Sequence, residues 1–234
     1  MRILIVSDMH ANPFALRILP AADAVICAGD LVDYGPDPIS TIDWVRTSEA
    51  TVVQGNHDFA LATGADCGVL SALREASIRT RSVHRHRLSE EHLAYLRDLP
   101  RVTTVTHAGT TFALTHAAPE DLCRYLPAHE AARLLASRFP QAQVLVLGHT
   151  HEQTHFEQDG RTVINPGSVG LSRVGGSAQY AVWEDGEVST FTQPYDVEAT
   201  VELLAHFPLD PVTYDVLVGT LRQGRIPTVE STSS

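Results

Sequence analysis

The sequence predicts a layered α/β fold, and three observations carry the prediction. Short aliphatic runs of strand length recur along the first two thirds of the chain, helical segments separate them, and a polar residue stands directly after nearly every run. Residues 2–7 form the first aliphatic run and read as a strand buried on both faces. Asn12 then caps a short helix over residues 13–19, with Pro13 at its first position. Residues 24–28 are a second buried strand ending in Gly29-Asp30, and residues 38–46 form a helix. Residues 51–53 are a third short strand that runs into Gly55-Asn56-His57-Asp58.

Over residues 64–100 the strand signal vanishes: residues 71–81 have helical composition, and a second helix opens at Ser89 and ends at Leu99-Pro100. The β-rich runs 101–106 and 110–115 predict a hairpin around His107-Ala108-Gly109. Residues 128–139 are helical and residues 143–147 a buried strand, with Gly148-His149-Thr150-His151 directly after it. Two further hairpins, over 155–165 and 179–192, turn at Asp159-Gly160 and Asp185-Gly186. Helices are expected over 196–206 and 211–222, and a frayed tail over 231–234. With no repeat, low-complexity linker or break in composition, residues 1–234 are expected to form one domain, in which 64–100 is a helical insertion flanking the site.

Composition removes several functions. All 17 basic residues are arginine, which excludes a Schiff-base lysine and a lysine-bearing phosphate loop. The 28 acidic residues give a net charge of −11, a poor match for long nucleic acid. No apolar run approaches the length of a membrane span, and the first residues lack the pattern of a signal peptide. Cys27, Cys67 and Cys123 are odd in number and widely spaced, so a reducing cytoplasm is expected rather than a disulfide framework.

The chemistry lies in the residues that follow the strands: Asp8 and His10, Asp30, Asn56 and His57, His116, then His149 and His151. Ligand sites of open α/β sheets form at the carboxyl ends of strands. Carboxylates, imidazoles and a carboxamide gathered there suit hard or borderline divalent metals, and no cysteine joins them. Taken singly, each has an ordinary reading as a cap or a turn residue.

Taken in order, the blocks Asp8-Met9-His10, Gly29-Asp30 with Gly35, Gly55-Asn56-His57-Asp58, His116 and Gly148-His149-Thr150-His151 resemble the calcineurin-like metallophosphoesterases. Asn165-Pro166-Gly167-Ser168 is similar to a motif of their small prokaryotic, phosphodiesterase-like branch. The resemblance implies a four-layer α/β/β/α sandwich of two mixed sheets flanked by helices. It also implies two divalent ions, Mn, Fe, Ni, Co or Zn, among which the sequence does not choose. One would be held by Asp8, His10 and His151, the other by Asn56, His116 and His149, with Asp30 bridging. Two ions roughly 3.5–4 Å apart can clamp both oxygens of an in-line displacement at phosphorus, a hydroxide between them attacking. His57 is then the implied acid or charge-stabilising donor. Asp33 is its expected orienting partner, by the pattern of the related protein phosphatases, and neighbouring Asp58 is the rival. Tyr34 stands where those phosphatases carry a phosphate-gripping arginine, and Asp58 where they carry glutamate, both pointing away from a protein phosphatase. Ala117 replaces the glycine that many relatives have after the His116 position.

The expected activity is therefore metal-dependent hydrolysis of a phosphoester, a phosphodiester above all, on a small phosphoester or nucleotide substrate. A nucleotide pyrophosphohydrolase, a phosphomonoesterase and a non-enzymatic scaffold on the same fold are the alternatives. His84 and His86 are expected at the surface, and His92, His107, His129, His155 and His206 have no assigned role. The arginines at 74, 79, 81, 85 and 87 read as a solvated helix face, with Arg79 or Arg81 as candidates for holding substrate phosphate. Cys27 is expected in the core, and Gly175-Gly176 in a flexible loop near the site. The apolar faces of the last helices (Val197, Val201, Leu204; Val212, Val216) are expected to be core, with a homo-oligomer left open.

Overall fold

The chain runs β1 (Arg2–Val6), α1 (Pro13–Leu16), β2 (Ala24–Cys27), α2 (Pro38–Thr47), β3 (Thr51–Val52) and α3 (Asn56–Thr63), then α4 (Arg74–Arg87) and α5 (Glu90–Asp98). It continues through β4 (Val102–His107), β5 (Thr110–Thr115), α6 (Ala128–Arg138), β6 (Val144–Val146), β7 (Gln153–Gln158) and β8 (Arg161–Pro166). The last elements are β9 (Ser177–Glu184), β10 (Glu187–Pro194), α7 (Val197–Leu204) and α8 (Pro211–Gln223). This computed structural model describes residues 1–69 and 72–226, so the expected tail at 231–234 lies outside the described residues.

The strands form two mixed five-stranded sheets, ordered β10-β9-β1-β2-β3 and β4-β5-β6-β8-β7. In β1, Ile3 and Ile5 enter one apolar cluster and Leu4 and Val6 another, the two-residue period of a strand buried on both faces. The first cluster is the seam between the sheets, where Ile3, Ile5 and Ile26 meet Phe112, Leu114, Val146 and Ile164. On the outer face of the first sheet, Leu4, Val6 and Val25 pack with Ile42 of α2, Leu61 of α3 and Leu93 and Leu96 of α5. On the outer face of the second, Leu145 and Val163 meet Ala131 and Leu135 of α6. Helix, sheet, sheet and helix thus stack in the four expected layers. The hairpins turn where expected, with Asp159-Gly160 and Asp185-Gly186 at positive φ.

Several expectations shift. Helix α1 stops at Leu16, because the residue before Pro20 is disfavoured in helical conformation. Helix α4 begins at Arg74 and runs to Arg87, well past residue 81, up to the chain's next cap at Ser89. Of the C-terminal apolar residues, Val197, Val201 and Leu204 are buried, but Val212 on the first turn of α8 is 73% exposed and belongs to no core. The Gly175-Gly176 loop is tied down by α8, through Gly176 N–H to the Leu221 carbonyl at 2.8 Å. No helix of the described residues is long and apolar enough to cross a membrane.

Candidate metal centre

Five strands deliver the polar residues to one end of the two sheets. β1 leads into Asp8 and His10, β2 into Asp30, β3 into Asn56 at the first turn of α3, β5 into His116, and β6 into His149 and His151. Asp8, His10, Asp30, His149 and His151 all sit at φ between 43° and 71°, a left-handed conformation that non-glycine residues hold only when their surroundings enforce it. Asn56 does not share it: it is helical, and Gly55 occupies the cap. Two glycines make the convergence possible. A Cβ on Gly55 would lie 2.0 Å from Asp30 Oδ1, and one on Gly148 would lie 2.9 Å from both Asp8 Oδ2 and His116 Nδ1.

Hydrogen bonds aim the rings. Nδ1 of His10, His116 and His151 donates to the carbonyls of Val32, Ala28 and Leu171 at 2.9, 2.7 and 2.7 Å. Such bonds fix the tautomer and leave Nε2 as the inward lone pair. His149 is reversed, its Nε2 donating to the Cys123 carbonyl at 3.2 Å, so Nδ1 is the nitrogen left free to accept. Asn56 gives its amide N–H to the Cys67 carbonyl at 2.7 Å and turns Oδ1 inward, 3.0 Å from His116 Nε2. The atoms gather as Asp8, His10 and His151 on one side and Asp30, His116 and His149 on the other, each trio mutually within 4.8 Å. His10 Nε2 and His151 Nε2 face each other at 3.1 Å with Asp8 Oδ1 3.2 Å from the latter. Two ring lone pairs aimed at one another beside a carboxylate call for a cation, so the donor set fits a metal.

The electrostatics agree for His10 and His149, whereas His116 holds a proton against Asp30 that a bound cation would displace. Burial and the charge of His151 lower His10 to about 3, so its ring is neutral, the form that ligates. Burial lowers His149 to about 4. His116 would be lowered by burial too, but the Asp30 charge prevails and raises it to about 9. Burial would also raise Asp8 and Asp30, yet the imidazoles beside them hold both carboxyls well below the ordinary range.

His57, buried, presents Nε2 4.0 Å from Asp30 Oδ2, while its Nδ1 bonds Asp33 Oδ2 at 2.7 Å. Asp58 is elsewhere: its carboxylate accepts the backbone N–H of Asp30, Leu31 and Gly55 at 2.8–3.0 Å and so holds the Gly-Asp loop. Burial and the Asp30 charge raise Asp58 to about 7. For His57, burial alone would lower the pKa, but the Asp30 charge and the bond to Asp33 hold it well above its usual value.

Asp33 is gripped in turn by α4. Arg81 reaches its Oδ2 through Nη2 at 2.6 Å and Nε at 3.0 Å, and Ser77 Oγ donates to the same oxygen at 3.0 Å. Arg81 is therefore committed to a carboxylate and is not available to substrate. Arg79, the other candidate, points outward to Glu75 one turn away. His84 is fully buried rather than at the surface: Nδ1 accepts the Asp33 N–H at 3.2 Å and Nε2 donates to the Gly35 carbonyl at 2.9 Å, while His86 is exposed as expected.

A pH dependence follows from His84. Burial lowers its pKa from 6.5 to about 4, so the unfolded chain takes up the proton first. Its stabilising contribution is complete above pH 6.5 and is lost as pH falls through 4, on the order of 3 kcal/mol in all. Denaturant unfolding from pH 7 to 4 is expected to show this loss in the wild type and a smaller one in His84→Gln. Parallel curves for the two proteins would refute it.

A family model described as the calcineurin-like phosphoesterase superfamily domain matches residues 1–186. The chain belongs to this superfamily. A crystal structure of a metallophosphoesterase from Sphaerobacter thermophilus is 30% identical, with a TM-score of 0.72 over 96% of this chain and 100% of that one. A hypothetical protein from Pyrococcus horikoshii shares the fold at 16% identity, with a TM-score of 0.78 over 97% of this chain and 99% of the other. An uncharacterized protein of Methanocaldococcus jannaschii is 24% identical over 227 residues, 86% of this chain and 90% of its own.

For a calcineurin-like phosphoesterase, the residues without a recognisable motif are the informative ones. Tyr34 packs its ring against His10 and His57 at centroid distances of 4.9 and 5.0 Å. Cys67, expected to stand apart from the polar set, lies with Asp33 and His57 in a third cluster, its Sγ 2.7 Å from Arg81 Nη2. Cys27 is core as expected, its thiol raised by burial. The superfamily centre opens into a cleft of about 520 Å³ whose walls include Asp30, His57, Tyr125, His149 and Arg173. Only one signal in the sequence pointed at the α4 contribution: Ser77, Thr80, Arg81 and His84 recur at the 3, 4 and 7 spacing of one helical face.

Proposed function

We propose that the chain is a dinuclear-metal phosphodiesterase acting on a small phosphoester or nucleotide in a reducing, cytoplasmic setting. The observation that carries the reading is the convergence of four imidazoles, each locked by a backbone carbonyl, on two aspartates, beside a fifth, His57, that belongs to neither trio. When bound, two divalent ions would supply Lewis acidity and a water of lowered pKa. Asp8, His10 and His151 would hold one and Asn56, His116 and His149 the other, with Asp30 between them. His57, its Nδ1 engaged by Asp33, keeps Nε2 turned to the cleft, where it can give a proton to a leaving oxygen or stabilise its charge. The diester is favoured over the monoester because the ring packed on His57 is that of neutral Tyr34 and Arg81 is committed to Asp33, so neither residue offers a free guanidinium to a dianionic phosphate. All three cysteines are free, in keeping with a reducing compartment.

Metal analysis coupled to a panel of diesters, monoesters and nucleotides tests the proposal. Saturating Mn is expected to raise the melting temperature of chelator-treated protein, because a ligand at a hundred times its Kd stabilises by about 2.7 kcal/mol. The same addition is expected to switch on hydrolysis of bis(p-nitrophenyl) phosphate. Neither Mn nor any of Fe, Ni, Co and Zn shifting the melting temperature would sink the metal assignment. A monoester outrunning every diester would sink the diester preference.

A further inference from the structure

Arg173 lines the same cleft as Asp30, Asn56, His57, His149 and His151, and it is the only arginine among the described residues that does. Its Nη1 is shielded from solvent and has no hydrogen-bond partner, and none of the described carboxylates pairs with it. A guanidinium nitrogen withdrawn from water without a partner is costly, and planar, bidentate recognition of phosphate is what this group does best. Its backbone is also preorganised. Two residues earlier, the Leu171 carbonyl holds His151 at 2.7 Å. A Cβ on Gly224, at the end of α8, would come within 2.3 Å of the Arg173 carbonyl oxygen, and the following turn is tied to Leu221. The arginine therefore stands on a wall braced by both α8 and the loop whose Leu171 carbonyl aims the His151 ring.

We infer that Arg173 binds a second phosphate of the substrate, one borne on the organic part of the diester and distinct from the phosphate being cleaved. This inference rests on the phosphodiesterase reading above and names its substrate class: a phosphodiester carrying a further phosphate group. The scissile phosphate is served by the metal ligands and His57, whereas the same cleft also offers Arg173 together with apolar and aromatic walls. Val69 and Ile226 line it, and the exposed Tyr125 ring lies 4.6 Å from the His149 ring. These surfaces suit the organic part that joins the two phosphates.

A matched pair of substrates tests this: thymidine 5′-(p-nitrophenyl phosphate) with and without a 3′-phosphate, and bis(p-nitrophenyl) phosphate as the reference lacking a second anion. With metal-loaded wild type, the 3′-phosphorylated diester is expected to have a KM about tenfold lower than its partner, since a charged hydrogen bond is worth at least that factor. Arg173→Gln is expected to erase the ratio, Arg173→Lys to keep part of it, and both to leave bis(p-nitrophenyl) phosphate unchanged, with melting temperatures equal to wild type. Equal KM values for the pair in wild type, or a ratio that survives in Arg173→Gln, overturn the inference. So does an equal loss on all three substrates, which would place Arg173 on the scissile phosphate or in the fold. If no diester is cleaved, the phosphodiesterase reading fails instead, and calorimetry with thymidine 3′,5′-bisphosphate decides Arg173. Binding tenfold weaker in Arg173→Gln than in wild type upholds it, and equal binding rejects it.

Discussion

Asp30→Asn is expected to empty both metal positions together, taking metal content from about two ions per chain toward none and hydrolysis down by more than about a thousandfold. The Asp30 carboxylate is positioned for both sets of ligands. Oδ2 lies 3.2 Å from His116 Nε2 and 3.9 Å from His10 Nε2, while Oδ1 is pinned by the His57 N–H at 2.9 Å. Asparagine removes the negative charge and turns an amide N–H toward one side or the other, so neither ion keeps its bridge. Elemental analysis of the purified variant measures the outcome. The melting temperature of the variant should also lose its response to added metal while matching the chelator-treated wild type. Two ions retained at wild-type occupancy would overturn the bridging role.

The second large effect is expected from His57→Ala, with turnover falling about 10²–10⁴-fold while both metals stay bound. Removing the ring deletes the one imidazole of the cleft that faces Asp30 yet is bonded through Nδ1 to a side-chain carboxylate rather than to a backbone carbonyl. Asp33→Asn should cost less, because the ring remains and only its hold and charge preference are weakened. Kinetics on a diester with an activated leaving group and on one with a poor leaving group separate the roles. A deficit larger for the poor leaving group is the mark of proton donation, and near-normal turnover on both would refute any catalytic part for His57.

The legible portion of the site was local. Asp8 with His10, Asn56 with His57, and His149 with His151 are separated by one residue or none, so a short motif following an aliphatic strand marks them in the chain itself. The strands and hairpins were legible for the same reason, since a two-residue burial period and an Asp-Gly turn are properties of neighbouring residues. The boundaries that shifted lay in α1 and α4, where a downstream proline and the next cap at Ser89 decided where the helix ended.

What did not show was anything that depends on a partner far along the chain. The choice between Asp33 and Asp58 for His57 was made by the Gly-Asp loop, whose backbone N–H groups take up Asp58 and leave Asp33 free to turn toward the ring. Arg81 and Ser77 reach Asp33 from 48 and 44 residues away. His84 reads as a surface residue in a basic helix until α4 is laid against the loop carrying Asp33 and Tyr34, because burial is a property of the packed helix face. Arg173 is invisible in the same way: only the packed cleft leaves its Nη1 without a partner among the described residues, while most arginines on α4 have one.

The sequence by itself determined the succession of strands and helices along the chain, the α/β class and which residues stand at the strand ends, because covalent spacing and local hydrophobic period specify those directly. The tertiary structure alone decided which nitrogen of each histidine turns inward, which carboxylate bonds His57 and which arginine lines the cleft with an unpartnered nitrogen. Those outcomes are set by hydrogen bonds between segments brought together only by packing of the two sheets and the helices on them, and no spacing along the chain encodes them.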